Sequence, residues 1–252
     1  MIRKCFALIV GVIFLAGCAT PGKLYPNFVQ QNKAIGNVTV FIDASFMKDG
    51  IERGMIMDVD QNVDLLELLA EHIRKELPAK GYPVNAVYSL AGTIMVELNT
   101  MPIEVRGKKS DDVPYADKAF EESGIPLEEL RTAFWALIRA GQKTRPDQDN
   151  IVIPDIASLK FPGAPDTYIF VRSGGIQVGF MKQMGQAFGS ALATAGFMYG
   201  YSMGQISTYL YVVDASSGEL IWEDSITQPS SSNTRWAVAD EIRDIMKRLP
   251  AK

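Results

Sequence analysis

The order of patterns between Val38 and Tyr88 constrains the fold most. Val38-Thr39-Val40-Phe41-Ile42-Asp43 is short and rich in β-branched residues, which predicts a strand ending at a polar residue. Leu65, Leu66, Leu68, Leu69, Ile73 and Leu77 then fall on one helical stripe. Asp60 or Asn62 is placed to cap the start of that helix, and Pro78 with Gly81 to end it. Tyr82 to Tyr88 reads as a second strand, so strand, helix and strand open a βαβ unit.

The remaining segments add to this start. Ala91 to Leu98 reads as a strand, and Pro102 to Asp117 as a charged, mobile loop. A helix follows, with Pro126 at its amino end, Leu127, Leu130, Phe134, Leu137 and Ile138 at three-and-four spacing, and Gly141 as a left-handed stop. Lys143 to Asn150 is a loop; Asp166–Arg172 and Gly175–Phe180 are strands. Ile206–Asp214 and Glu219–Thr227 pair through the turn Ala215-Ser216-Ser217-Gly218 as a hairpin. A last helix, capped near Asn233 or Thr234, carries Val238, Ile242, Ile245 and Leu249 on one face and stops at Pro250. The fold class is α/β, with α+β as the alternative: one layered domain over 37–252 with insertions near 100–165 and 179–205. At 47% apolar residues the chain can fill a core of that size, and no fixed-period repeat is visible.

Arg3 and Lys4 precede an apolar run from Cys5 to Ala16 that closes on small residues before Cys18, as a secretory signal does. A membrane-spanning helix needs about 20 apolar residues, and this run is nearer a dozen. Leu15-Ala16-Gly17-Cys18 resembles the lipobox of bacterial lipoproteins. That resemblance implies a diacylglyceryl group on the Cys18 sulfur, cleavage in front of it and a third acyl chain on the freed amine. At about 0.8 kcal/mol per buried methylene, three chains hold a protein on its membrane. Cys5 leaves with residues 1–17, so Cys18 is the only cysteine of the mature chain and no internal disulfide can form. Ala19 after the cysteine is similar to the outer-membrane sorting pattern, which implies a domain facing the periplasm. Residues 18–36, with Pro21, Gly22, Pro26 and Asn27, read as a lipidated tether.

The net charge of −4 becomes −6 once Arg3 and Lys4 are removed, which argues against nucleic acid as a partner and leaves membrane attachment to the lipid. The stretch Asp214-Ala215-Ser216-Ser217-Gly218-Glu219-Leu220-Ile221-Trp222, with the leading strand and helix, resembles periplasmic lipoproteins similar to the curli secretion lipoprotein. Activators of penicillin-binding proteins and the amino-terminal domain of the Tol-Pal β-propeller protein share that shape. The resemblance covers about 37–90 and 166–249 and implies binding or assembly in the cell envelope.

The 179–205 segment departs from that pattern. Gly185 and Gly189, then Gly196, Gly200 and Gly204, recur at four-residue spacing, with Met181, Met184, Met198 and Met203 among them, and Lys182 is the only charge from 173 to 213. Small residues let backbones approach closely and methionines repack against varied surfaces. The segment is a helix–helix contact, an oligomer seam, a membrane-touching flap or a loop covering the sheet. Met181, Met184, Gly185, Gly189, Gly196, Gly200, Met203 and Gly204 are its candidate interaction residues.

Catalytic signals are sparse. His72, the single histidine, lies on the face of Leu68 and Leu69 and reads as an edge-of-core residue. Asp58-Val59-Asp60-Gln61-Asn62 starts like a calcium loop, but Val63 and Leu69 stand where glycine and glutamate belong, so capping explains it. Glu121-Glu122 and Glu128-Glu129 flank a helix start, where acids favour the dipole. No metal and no cofactor are expected. The leading expectation is a non-enzymatic outer-membrane lipoprotein that binds or assembles another envelope component, itself oligomeric or partnered. A subunit of a secretion or transport channel and a carboxylate-dependent envelope hydrolase are the alternatives.

Overall fold

In the computed structural model the described residues are 22–25, 28, 32, 35–50, 54–93, 103–108, 114–143, 150–159, 164–177, 205–229 and 234–252. Cys18 and the candidate interaction residues Met181, Met184, Gly185, Gly189, Gly196, Gly200, Met203 and Gly204 lie outside them.

Among the described residues nine strands form one mixed sheet. They are β1 (Lys23–Leu24), β2 (Val38–Gly50), β3 (Gly54–Asp58), β4 (Val84–Ala91), β5 (Ile103–Arg106), β6 (Tyr115–Ala116), β7 (Thr167–Gln177), β8 (Gln205–Asp214) and β9 (Leu220–Pro229). The helices described with them are α1 (Val59–Ala79), α2 (Lys118–Ser123), α3 (Leu127–Lys143), α4 (Pro154–Ala157) and α5 (Thr234–Arg248). The strands run in the order β1-β9-β8-β7-β2. Beyond β2 the sheet divides: residues 38–44 of β2 pair in parallel with β4, while residues 48–50 turn back onto β3, which pairs with β5. The class is α/β, as expected.

The length of β2 explains the architecture. Its 13 residues keep strict alternation, so Val40, Ile42, Ala44 and Phe46 face one side and Phe41 the other, and both sides are buried. The first face packs against Leu66, Leu69 and Ile73 of α1 and Val238, Ile242 and Ile245 of α5. The second packs against Leu130, Phe134 and Leu137 of α3, with Phe120 of α2 and Ile156 of α4 beside them. The result is three layers, helices on both faces of a sheet.

Several sequence expectations are corrected. β2 does not end at Asp43 but continues to Gly50, because Asp43 is accommodated inside the fold. The cap of α1 is neither Asp60 nor Asn62 but Asp58, whose Oδ1 accepts from the Gln61 amide at 3.1 Å. Asn62 instead faces β2: its Oδ1 accepts from the Phe46 amide at 2.7 Å and its Nδ2 donates to the Phe46 carbonyl at 3.0 Å. Gly141 does not stop α3, which runs on to Lys143. The expected loop from Pro102 to Asp117 contains β5 and β6. The two strands expected at 166–180 are the single β7 as far as Gln177; Gly174 approaches β2 so closely that a β-carbon would sit 2.8 Å from the Ser45 carbonyl oxygen. The strand expected from Ala91 to Leu98 is described only through Thr93, and Ala91 closes β4.

The stretch read as a tether is, in its described part, docked on the body. Lys23 and Leu24 pair antiparallel with Glu223 and Trp222, and Tyr25, Phe28, Asn32 and Ile35 are buried. The Tyr82 hydroxyl lies 2.7 Å from Asn32 Oδ1 and 2.8 Å from the Pro250 carbonyl oxygen, and the Lys252 amide donates to the Lys80 carbonyl at 2.8 Å. Gly22 crosses the indole of Trp222, where a β-carbon would sit 2.5 Å from Cζ2. Gly22→Val is therefore expected to destabilise the protein by roughly 1–3 kcal/mol, the range of overpacking a close contact. Urea unfolding with limited proteolysis ahead of Tyr25 checks it; an unchanged midpoint and cleavage rate contradict the docking.

Candidate functional site

Successive crossovers run in opposite directions across β2. α1 carries the chain to β4 over one face, and α2, α3 and α4 carry it from β4 to β7 over the other, so the parallel order is β4-β2-β7. In open α/β sheets the carboxyl ends of strands at such a switch point form the usual ligand crevice. Here the middle of β2, where its pairing with β4 ends, supplies Asp43 and Ser45, the second residue after β4 supplies Thr93, and β7 supplies Arg172.

That crevice is closed from below by aromatic rings. Phe41 stacks on Tyr88 at 5.4 Å and on Phe170 at 5.3 Å between centroids, and Phe134 of α3 meets Phe170 edge-on at 5.2 Å. Above this stack Asp43 is 0% exposed. Its Oδ2 accepts from the Ser45 hydroxyl at 2.8 Å and its Oδ1 from the Thr93 amide at 3.2 Å. Burial pushes its carboxyl up to about 6, against the pull of those bonds and of the Arg172 charge. The Arg172 guanidinium lies 6.0 Å from the centre of the Tyr209 ring, which is stacked on Tyr211. Burial, with Glu223 nearby, also raises the Tyr211 hydroxyl. A carboxylate so enclosed fixes the middle of β2 to the segment that follows β4.

The opposite face has a second polar group. The Ser173 and Thr208 hydroxyls are 2.7 Å apart, and Thr208 donates to Glu241 Oε2 of α5 at 2.6 Å. Nearer the end of α5, Arg248 Nε lies 2.8 Å from Asp224 Oδ2, whose carboxyl is still pushed up to about 6 by burial. These groups hold α5 to β8 and β9.

The candidates named from the sequence are dispersed around this frame, so the structure brings together none of those it describes. His72 is half-buried on α1. Glu121, Glu122, Glu128 and Glu129 are exposed; Glu122 lies 3.4 Å from Lys118 and Glu128 2.9 Å from Arg131. Among the described residues no three His, Cys, Asp or Glu side chains gather as metal ligands would. No helix among them is long and apolar enough to cross a membrane. Arg172, Glu241 and Trp236 are additions that the structure makes. A signal for Trp236 was available: an aromatic residue on the polar side of an amphipathic helix, here 69% exposed.

No protein-family model matches the chain, and no curated protein matches it in sequence. Among solved structures it is similar to the PelC dodecamer from Paraburkholderia phytofirmans, at 9% identity and a TM-score of 0.28, over 84% of this chain and 87% of that one. A point variant of the same dodecamer matches at 9% identity and a TM-score of 0.29, over 86% and 90%. Likeness at this level assigns neither fold nor role.

Proposed function

We propose that the chain is an outer-membrane lipoprotein, acylated at Cys18, whose periplasmic α/β domain binds or assembles another envelope component without catalysing a reaction. The observation that carries this reading is the inward turn of the switch-point polar groups. Where α/β enzymes present reactive side chains to a crevice, Asp43 is enclosed and bonded to Ser45 and Thr93. The leader ending Leu15-Ala16-Gly17-Cys18 supplies the address. Mass spectrometry of protein purified from envelopes is expected to find the mature amino terminus at Cys18 carrying three acyl chains. Cys18→Ser is expected to move the protein out of the membrane fraction. An unmodified amino terminus or a retained leader overturns the anchoring. Crosslinking in whole cells is expected to give an oligomer or a partner adduct, and monomer alone contradicts the assembly role.

A second reading, the channel subunit, is favoured by one observation. β7 and β8 pair antiparallel up to Gly175 and Ile206, so residues 178–204 join two adjacent strands at the carboxyl edge. Those 27 residues exceed the two strands of about 9–11 residues that a membrane-crossing hairpin needs. Their sequence alternates Phe197, Tyr199, Tyr201 and Met203 with Met198, Gly200, Ser202 and Gly204. Purified lipidated protein in planar bilayers is then expected to give stepwise conductance that deletion of 181–204 abolishes. A silent bilayer removes this reading and leaves the first intact.

A further inference from the structure

The direction of β1 orients the molecule on its membrane. Lys23 pairs with Glu223 and Leu24 with Trp222, antiparallel to β9. β9 itself runs toward Pro229, which pairs with Gln205 at the carboxyl edge. The chain therefore arrives at Lys23 from the side of that edge and travels away from it. Cys18 precedes Lys23 by five residues, a reach of at most about 17 Å. From Glu223 to the end of β9 is six residues, about 20 Å of strand, so a fully extended approach would bring Cys18 to about one residue short of that edge. An approach from the opposite end would require the chain to double back beside Gly22, which already lies on Trp222. That opposite end is also filled, by Asn32, Tyr82, Lys80 and residues 249–252 bonded to one another.

The same edge carries an aromatic residue suited to a lipid interface. α5 begins at Thr234, five residues after β9 ends at Pro229. Helical side chains lean toward the amino terminus of their helix, which for Trp236 means toward the edge. Trp236 is 69% exposed, whereas Trp222 is 1% exposed. Arg235 beside it is exposed and donates to the Asp64 carbonyl of α1. An indole next to a guanidinium fits the zone where apolar chains meet phosphate headgroups.

We propose that the protein stands with the carboxyl edge of its sheet on the lipid surface, Trp236 entering the headgroup layer and Arg235 meeting the phosphates. This rests on the anchoring of Cys18 proposed above. The chain has three tryptophans, so fluorescence can test it. Full-length acylated protein is reconstituted into phosphatidylcholine–phosphatidylglycerol vesicles with and without brominated acyl chains, and acylation of that preparation is verified by mass. Wild-type emission is expected to be quenched by about a third, the share of one tryptophan in three, and Trp236→Phe to lose the quenching. Ala251→Trp in the Trp236→Phe background puts a reporter at the opposite end and is expected to stay unquenched. Acylated protein whose quenching is absent, survives Trp236→Phe or arises at residue 251 overturns the orientation while leaving the anchor standing. An unacylated chain overturns the anchor and the orientation with it.

Discussion

Glu241→Gln is expected to stabilise the protein at pH 8 by about 3 kcal/mol and to remove the largest part of its pH dependence. Glu241 is 1% exposed, and burial pushes its carboxyl from 4.5 up to about 7, with the Thr208 hydrogen bond and the nearby Gln228 side chain opposing. No charged group contributes to that shift; the facing groups are Thr208 of β8, Gln228 of β9 and, through Thr208, Ser173 of β7. An unfolded chain releases this proton near 4.5, while the folded chain keeps it to about 7. Between those values the folded state binds more protons, so stability is greatest at the acid side, falls as pH rises through the window and is lowest above it. Asp43 and Asp224, both raised to about 6, act in the same direction, and Asp214, lowered by its bonds to Ser216 and Ser217, opposes them. Wild-type urea midpoints are expected to be higher at pH 5 than at pH 8. Glutamine keeps an oxygen for Thr208 without the buried charge, so its midpoints should differ by clearly less than those of the wild type, the remaining difference coming from Asp43 and Asp224. Equal slopes in the two proteins contradict the assignment.

Phe41→Ala is expected to lower stability by about 3–5 kcal/mol, the cost of truncating a fully buried aromatic residue. Phe41 touches Tyr88, Phe170 and Tyr168 at centroid distances of 5.4, 5.3 and 6.0 Å, so its removal opens a void between the central strand and both parallel neighbours. For a chain of this length that is a fall of about 10 °C in Tm, measured by near-ultraviolet circular dichroism. Phe41→Leu keeps most of the volume and is expected to cost less than half as much. An alanine variant within about 2 °C of wild type, a margin of roughly one kcal/mol, would mean the stack carries little of the stability.

The layered α/β class was legible because helix and strand periods alternate along the chain, and α1, β8, β9 and α5 fall where the pattern puts them. The errors have physical causes. Asp43 read as the end of a strand because a carboxylate is normally solvated; Ser45 and Thr93 supply the donors that let it stay inside, and only folding brings Thr93 to it. Residues 18–36 read as a tether because turn-rich composition masks Tyr25, Phe28 and Ile35; their spacing of three and seven is that of one helical face, and all three are buried in the two cores. Gly141 read as a stop, but nothing requires a left-handed residue there while the helix continues. Of the candidate site, Trp236 was hidden because only the apolar stripe of α5 was sought. The groups joining α5 to the sheet are 33 residues apart for Thr208 and Glu241 and 24 apart for Asp224 and Arg248, separations no local pattern encodes.

The pairing of β1 also decides how the domain bears force. Hydrogen bonds between antiparallel strands lie across the strand axis. Tension on the backbone ahead of Gly22 acts along that axis, so the bonds joining Lys23 and Leu24 to β9 are sheared together rather than peeled one after another. A short clamp loaded in shear resists a pull that would open the same contacts easily from the side, and it passes the load first into β9, at the margin of the sheet.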